Sequence, residues 1–146
     1  MIHMQNMKVA DFHADTVNAG SLATTTVDTV GFDYAYIVIV AGALGADATD
    51  IEVDHSDNSD MSSSANLVTF ESTADIGGTT NALADFDADE SIVVEVDLKA
   101  KRRYLKTTIT VGSGACDLAC ITLLGRAGES IADTAAASGA NFRFRV

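Results

Sequence analysis

The chain of 146 residues contains 21 Asp and Glu residues against 9 Lys and Arg, which gives a formal net charge of −12. Binding of a nucleic-acid backbone needs clustered positive charge, so this acidity disfavours a duplex binder, and 47% hydrophobic residues exclude a wholly disordered chain. The longest apolar run, residues 35–44, is far shorter than the ~20 residues of a membrane span, and no secretory signal is visible. The sequence therefore predicts one soluble domain that is made in the cytoplasm and is not bound to a membrane.

The charges are unevenly distributed along the chain. Residues 9–98 include 18 acidic residues and no basic one, whereas residues 99–146 include 8 basic and 3 acidic residues. We therefore expect two oppositely charged surfaces in one fold. Such a module is suited to head-to-tail assembly or to docking on an oppositely charged array of subunits.

In chain order, residues 1–20 come first and have weak periodicity, which predicts an N-terminal arm or a peripheral strand that can reach a neighbour. Residues 21–146 are predicted to form a single β-domain. Its strands are marked by alternation of apolar and polar residues or by β-branched and aromatic runs. The predicted strands are 21–30, 34–40, 50–54, 67–71, 92–98, 103–111, 118–124 and 141–146.

About eight short strands with turns between them predict an all-β fold, an antiparallel β-sandwich or jelly roll. The chain has no proline, so its turns must depend on Gly, Asn, Asp and Ser. A turn of helix within residues 82–86 and a loop or short helix over residues 130–140 are the alternatives left open.

Cys116 and Cys120 are the only cysteines. On one strand they would lie about 13 Å apart at ~3.3 Å per residue, beyond the separation of about 4.4 to 6.8 Å between Cα atoms that a disulfide allows. Both are predicted to be reduced and buried. The three histidines have no pair at ligand spacing, so no metal site is predicted from them.

Two acidic segments could hold a cation. Residues 85–90 have the D-x-D-x-D spacing of a calcium loop, but Glu90 stands where the loop needs Gly, and Val96 stands where it needs a bidentate Glu. We therefore expect a solvated acidic turn there, and likewise over residues 54–60. His55 in the second segment is expected to titrate near neutrality.

Catalysis has little support in the sequence. There is no G-x-S-x-G motif, and the glycines of residues 112–114 lack the rest of a nucleotide-binding motif. The absence of tryptophan argues against a carbohydrate cleft. We expect a protein that is not an enzyme and needs no cofactor.

One basic cluster is present, and three interpretations of it remain. It could bind nucleic acid with Tyr104 as a stacking platform, or pair with cross-strand acids such as Glu95 and Asp97, or form a surface between subunits. The cluster consists of Lys99, Lys101, Arg102, Arg103 and Lys106.

The order of motifs from residue 30 to residue 125 resembles that of small structural proteins of tailed bacteriophages. The resemblance begins with the aromatic and β-branched run 32–42 and the segment 48–58 with its Ser-Asp turn. An acidic turn at 86–89 and a strand leading into a basic Arg-Tyr strand, 92–106, come next. It ends with Thr110-Val111 and with Leu-Leu-Gly at 123–125.

This resemblance implies a capsid-stabilising (head decoration) protein of a marine siphovirus. The expected properties are a jelly-roll fold and trimeric assembly on the outside of the shell, with the major capsid protein as partner and without direct contact to nucleic acid. The basic cluster and an N-terminal arm that includes Met1, Ile2 and Met4 are expected to contact the capsid or neighbouring subunits, while the Asp-rich loops face solvent. The alternatives are a phage tail or fibre component, and a cation- or glycan-binding β-sandwich module.

Overall fold

The computed structural model describes residues 7–46, 48–71, 88–126 and 142–145. Every regular element within these ranges is a β-strand, which confirms the predicted all-β class. The strands are β1 (Met7–Asn18), β2 (Ser21–Ala23), β3 (Val27–Asp28), β4 (Tyr34–Leu44), β5 (Ala48–Ser56), β6 (Ala65–Glu71), β7 (Ser91–Asp97), β8 (Tyr104–Val111), β9 (Ala115–Gly125) and β10 (Phe142–Arg145).

The strands form two sheets. The first has the order β1-β9-β4-β7-β10, and the second has the order β2-β8-β5-β6, with the short β3 also paired to β8. Buried residues of both sheets form one hydrophobic cluster, so the sheets pack face to face as in a β-sandwich. Ile37 and Ile39 from the first sheet and Ile51, Phe70 and Ile109 from the second are completely buried in this cluster.

Local sequence alternation explains the inward and outward faces of most strands. In β8 every second residue is buried, from Leu105 to Val111, as the period of two requires. In β9 the buried series runs from Cys116 to Leu124. The central strand predicted at 34–40 is β4, which lies in the middle of its sheet and continues to Leu44.

The predicted antiparallel arrangement is confirmed for all but one pair of the described strands. β10 pairs with β7 in the parallel direction, with Phe142 opposite Ile92 and Arg145 opposite Glu95. Every other pair is antiparallel among the described strands.

The prediction of a single strand over residues 21–30 is wrong, because the structure has two short strands there, β2 and β3. The Thr24 hydroxyl donates to the Thr107 carbonyl at 3.3 Å and accepts from the Thr107 N–H at 3.0 Å. The Thr29 hydroxyl donates to the Arg103 carbonyl at 2.6 Å. The backbone N–H groups of Thr24 and Thr29 donate to the same two carbonyls, so the threonine hydroxyls add to the backbone bonds where the strand is interrupted.

Residues 7–18 adopt the peripheral-strand alternative. β1 is the edge strand of the first sheet and pairs with β9 from Met7 opposite Gly125 to Asn18 opposite Ala115, with a bulge between Val9 and Asp11. The boundary predicted at residue 20 stays a prediction. Residues 1–6, and the helical alternatives at 82–86 and 130–140, lie outside the described residues.

Candidate interaction surface at the basic end

The chain topology brings three strand connections to one end of the sandwich. Tyr34, the first residue of β4, lies opposite Asp97, the last residue of β7. In the second sheet Tyr104, the first residue of β8, lies opposite Asp28 of β3 and Ser56 of β5. The β3–β4, β5–β6 and β7–β8 connections therefore meet at this end, which we call the basic end.

All Lys and Arg residues between positions 7 and 126 lie at or near the basic end. Lys8 is opposite Leu124 near the end of β9, and Lys106 is the third residue of β8. The full set is Lys8, Lys99, Lys101, Arg102, Arg103, Lys106 and Arg126. The two remaining cations, Arg143 and Arg145, stand on β10 opposite Val93 and Glu95. The fold thus gathers Lys8 and Arg126, from distant parts of the chain, with the predicted cluster.

The opposite end, which we call the acidic end, carries the β1–β2, β4–β5 and β8–β9 connections and the start of β7. No Lys or Arg lies there among the described residues. Its acidic residues with described side chains are Asp15, Asp50, Asp89, Glu90 and Asp117. The charge separation along the sequence becomes a separation in space, although the basic end also carries acids of its own.

The first part of the predicted basic cluster is a tight turn between the two sheets. The Lys101 N–H donates to the Leu98 carbonyl at 3.1 Å, and the Leu98 N–H donates to the Asp33 carbonyl at 2.9 Å. Asp97 accepts from the Lys99 N–H at 3.0 Å. Ala100 has a φ of 64°, in the left-handed region that is uncommon for a non-glycine residue. The turn therefore presents Lys99 and Lys101 in a defined place.

Arg102 joins this turn to the β5–β6 loop. The Arg102 backbone N–H donates to His55 Nδ1 at 3.1 Å, and the side-chain Nη1 donates to the Ser63 carbonyl at 2.6 Å. Its Nε lies 3.7 Å from Asp57 Oδ2. Burial, followed by the charges of Arg102 and Lys101, lowers the pKa of His55 below its ordinary value, which keeps Nδ1 available as an acceptor.

Arg103 is held by β3. Its Nε and Nη2 donate to the two carboxylate oxygens of Asp28 at 2.9 and 2.7 Å, a bidentate arrangement. The hydrogen bond from Arg103 is the main cause that lowers the pKa of Asp28 to about 2. The same pair raises the pKa of Arg103. Its guanidinium carbon also lies 5.1 Å from the centroid of the Tyr104 ring, so one face of that ring is covered by the protein's own arginine.

One of the three interpretations of the basic cluster pairs it with cross-strand acids such as Glu95 and Asp97. The two arginines pair instead with Asp57 and Asp28, both contributed by the second sheet and its loop. The reason is topological, because both arginines stand at the end of the 98–103 connection, where the chain has crossed from the first sheet to the second.

Arg126 and Lys8 are members of the surface that the sequence did not reveal. Arg126 Nε donates to the Gly31 carbonyl at 3.2 Å, and its guanidinium carbon lies 5.6 Å from the centroid of Phe32. Lys8 is close enough to help lower the pKa of Asp28. Each is an isolated cation in the sequence, so only the strand order could place it with the cluster.

The β5–β6 loop is fastened by its own side chains. The buried Ser56 hydroxyl donates to the Ser62 carbonyl at 2.8 Å and accepts from the Asn58 N–H at 3.1 Å. Asp60 accepts from the Ser62 N–H at 2.9 Å, and hydrogen bonds from Ser62 lower its pKa. The Asp-rich loop is therefore a folded support for Arg102, whose guanidinium bonds to the Ser63 carbonyl.

Within the described ranges, no group of three or more His, Cys, Asp or Glu side chains is arranged to hold a metal ion. Residues 85–87 of the calcium-like motif lie outside those ranges. The same part of the chain contains no helix long and apolar enough to cross a membrane.

The prediction for the cysteines is confirmed, because Cys116 and Cys120 are both free and buried. The Cys116 thiol donates to the Ala46 carbonyl at 3.2 Å. Burial is the main cause that raises the pKa of Cys120 to about 12, so this thiol has little nucleophilic character.

Of the eight residues predicted to form an interface, Lys99, Lys101, Arg102, Arg103 and Lys106 lie at the basic end. The other three, Met1, Ile2 and Met4, lie outside the described residues, although Met7, the first residue of β1, is opposite Gly125 at the same end. No known protein family and no curated protein matches the chain.

Proposed function

We propose that this chain is a structural virion protein that binds the outside of a phage capsid shell and stabilises the shell against the pressure of packaged DNA. In this proposal the protein has the jelly-roll topology of head decoration proteins, acts as a trimer and has the major capsid protein as its partner. The resemblance of the ordered motifs between residues 30 and 125 supports this assignment, and so does the charge arrangement of the fold.

The observation that carries the proposal is the gathering of cations at the basic end, while the acidic end has none among the described residues. A molecule with a formal net charge of −12 is repelled by other acidic surfaces unless it presents a patch of the opposite sign. The basic end is such a patch. It orients the molecule, with the basic end toward an acidic surface and the acidic end toward solvent.

The proposed mechanism is passive and needs no catalysis. A subunit seated over a junction between capsid proteins adds buried interface that must be broken before the shell opens. The folded turns of the basic end suit this role, because preorganised loops lose little conformational entropy on binding.

Binding to purified heads tests the proposal. Heads would be assembled from a siphovirus major capsid protein whose gene adjoins that of this chain in its source genome, a linkage to be established first, then expanded and mixed with the purified protein before sedimentation. We expect saturable binding at a fixed ratio to capsid subunits, a higher temperature of head disruption, and a trimeric mass by light scattering. Expanded heads that bind none of the protein at physiological salt would refute the proposal.

A further inference from the structure

The cations of the basic end fall into two groups with different surroundings. All three arginines described there donate hydrogen bonds to the protein itself: Arg102 to Ser63, Arg103 to Asp28 and Arg126 to Gly31. Arginine suits this task because its planar guanidinium offers several donors in a fixed geometry. The arginines hold together the connections that build this end.

The lysine side chains make no such bonds. Lys8, Lys99, Lys101 and Lys106 have no side-chain hydrogen bond or ion pair with any other residue in the described part of the chain, and Lys8 and Lys99 are exposed. A lysine ammonium is a compact charge on a flexible stem, so it can meet a partner's carboxylate without disturbing the fold. The charge available for binding is therefore the charge of the lysines.

From this division we infer that the lysines of the basic end dock the protein on a carboxylate-bearing protein surface, whereas Arg102 and Arg103 are positioning residues. The inference rests on the proposed function in one respect, which is that the capsid shell is taken as the carboxylate-bearing surface. It also changes the expected effect of substitutions, because loss of an arginine disturbs the fold of the end while loss of a lysine removes binding charge.

The other side chains of this end favour a protein partner over a nucleic acid. The exposed acids Asp33, Asp57 and Asp97 lie among the lysines, and a uniformly negative phosphate backbone would be repelled by them. Val9 and Val30, 65% and 62% exposed, lie on β1 and in the β3–β4 connection at the same end. Exposed apolar side chains with polar side chains around them match the apolar centre and polar rim of a protein–protein contact.

The decisive comparison uses three variants. In the first, Lys99→Gln and Lys101→Gln remove two positive charges from the turn. In the second, Ala43→Glu and Ser113→Glu make the same change in net charge at exposed positions of the acidic end. In the third, Arg103→Ala removes the pairing with Asp28. Thermal unfolding of each variant is measured beside its binding to expanded heads.

We expect the lysine variant to bind heads on the order of tenfold more weakly, with an unchanged unfolding temperature. The acidic-end variant should bind like the unchanged protein. Arg103→Ala should lower the unfolding temperature, and at temperatures where it is folded its binding should fall less than that of the lysine variant. A lysine variant that binds like the unchanged protein would overturn the inference and leave the proposed function intact.

Two further probes separate the partners. If the unchanged protein binds no heads but associates with itself at low salt in a lysine-dependent way, the proposed function fails and the inference holds with a second copy as the partner. Lysine-dependent binding to duplex DNA at physiological salt would overturn the stated partner chemistry. If the unchanged protein binds neither heads nor itself, the inference and the proposed function both fail.

Discussion

The substitution Ser56→Ala tests how the β5–β6 loop supports the basic end. Ser56 is completely buried, and its hydroxyl both donates to the Ser62 carbonyl and accepts from the Asn58 N–H. In the variant the Ser62 carbonyl keeps one partner, the Asn58 Nδ2 at 3.1 Å, whereas the Asn58 N–H loses the hydroxyl that accepts its hydrogen bond. The variant loses both hydrogen bonds of the hydroxyl, each worth about 0.5–1.5 kcal/mol, so we expect the free energy of unfolding to fall by about 1–2 kcal/mol.

The loss is measured by urea unfolding followed by circular dichroism, since the chain has no tryptophan. For a chain of this size the loss corresponds to a fall of roughly 3–7 °C in Tm, and amide exchange at Asn58 should become faster. Ser64→Ala is the matched control, because Ser64 is exposed and its N–H bonds to the Met61 carbonyl, a contact that the substitution keeps. It should change stability by less than about 0.5 kcal/mol. Equal stability of the two variants would refute the assigned role of the Ser56 hydroxyl.

Three further outcomes follow from the structure. The lowered pKa of His55 means that folding favours the neutral imidazole. The contribution of His55 to stability is therefore complete above the unfolded pKa of about 6.5, and it is lost as the pH falls toward the pKa of the folded protein. Unfolding at a series of pH values should show a weaker decline below neutrality in His55→Gln, and equal declines would contradict this account. With its pKa raised to about 12, Cys120 should not react with a disulfide reagent at pH 8 until the protein is unfolded, and rapid reaction of the native protein would contradict the placement of this thiol. In denaturant titrations, Gly45→Ala should destabilise the fold more than Gly31→Ala. A Cβ at position 45 would lie 2.7 Å from the Ala115 carbonyl oxygen. At position 31 only the φ of 83° opposes a side chain, at a cost of about 1–2 kcal/mol. The reverse order would show that the chain just after β4 approaches β9 less closely than this geometry requires.

Much of the secondary structure could be predicted because strand alternation is a local property. Side chains of successive residues point to opposite faces, so the sequence of β8 alone identifies Leu105 and Ile109 as core residues. The same reasoning places Cys116 and Cys120 on one face of β9, too far apart to be bridged. Alternation failed over residues 21–30, where Thr24 and Thr29 fit a strand pattern but use their hydroxyls to bond to β8.

Residues 99–106 also show which part of the surface could be predicted. A run of cations with one tyrosine is visible in the sequence and is correctly identified as basic, but its acids Asp28 and Asp57 lie more than 40 residues away. Nothing in the sequence separates the arginines, which the protein uses internally, from the lysines, which remain available. That distinction depends on side-chain hydrogen bonds.

By itself the sequence determined that the chain is all-β, that its thiols are unpaired, and that nearly all of its positive charge follows residue 98. Tertiary structure alone decided that β10 runs parallel to β7, that Lys8 and Arg126 join the basic cluster, and that the opposite end is left acidic among the described residues. The physical reason is that alternation encodes which face a residue occupies but not which strand lies beside it. Strand order arises from packing of the two sheets around one core, and that order carried the charges to opposite ends.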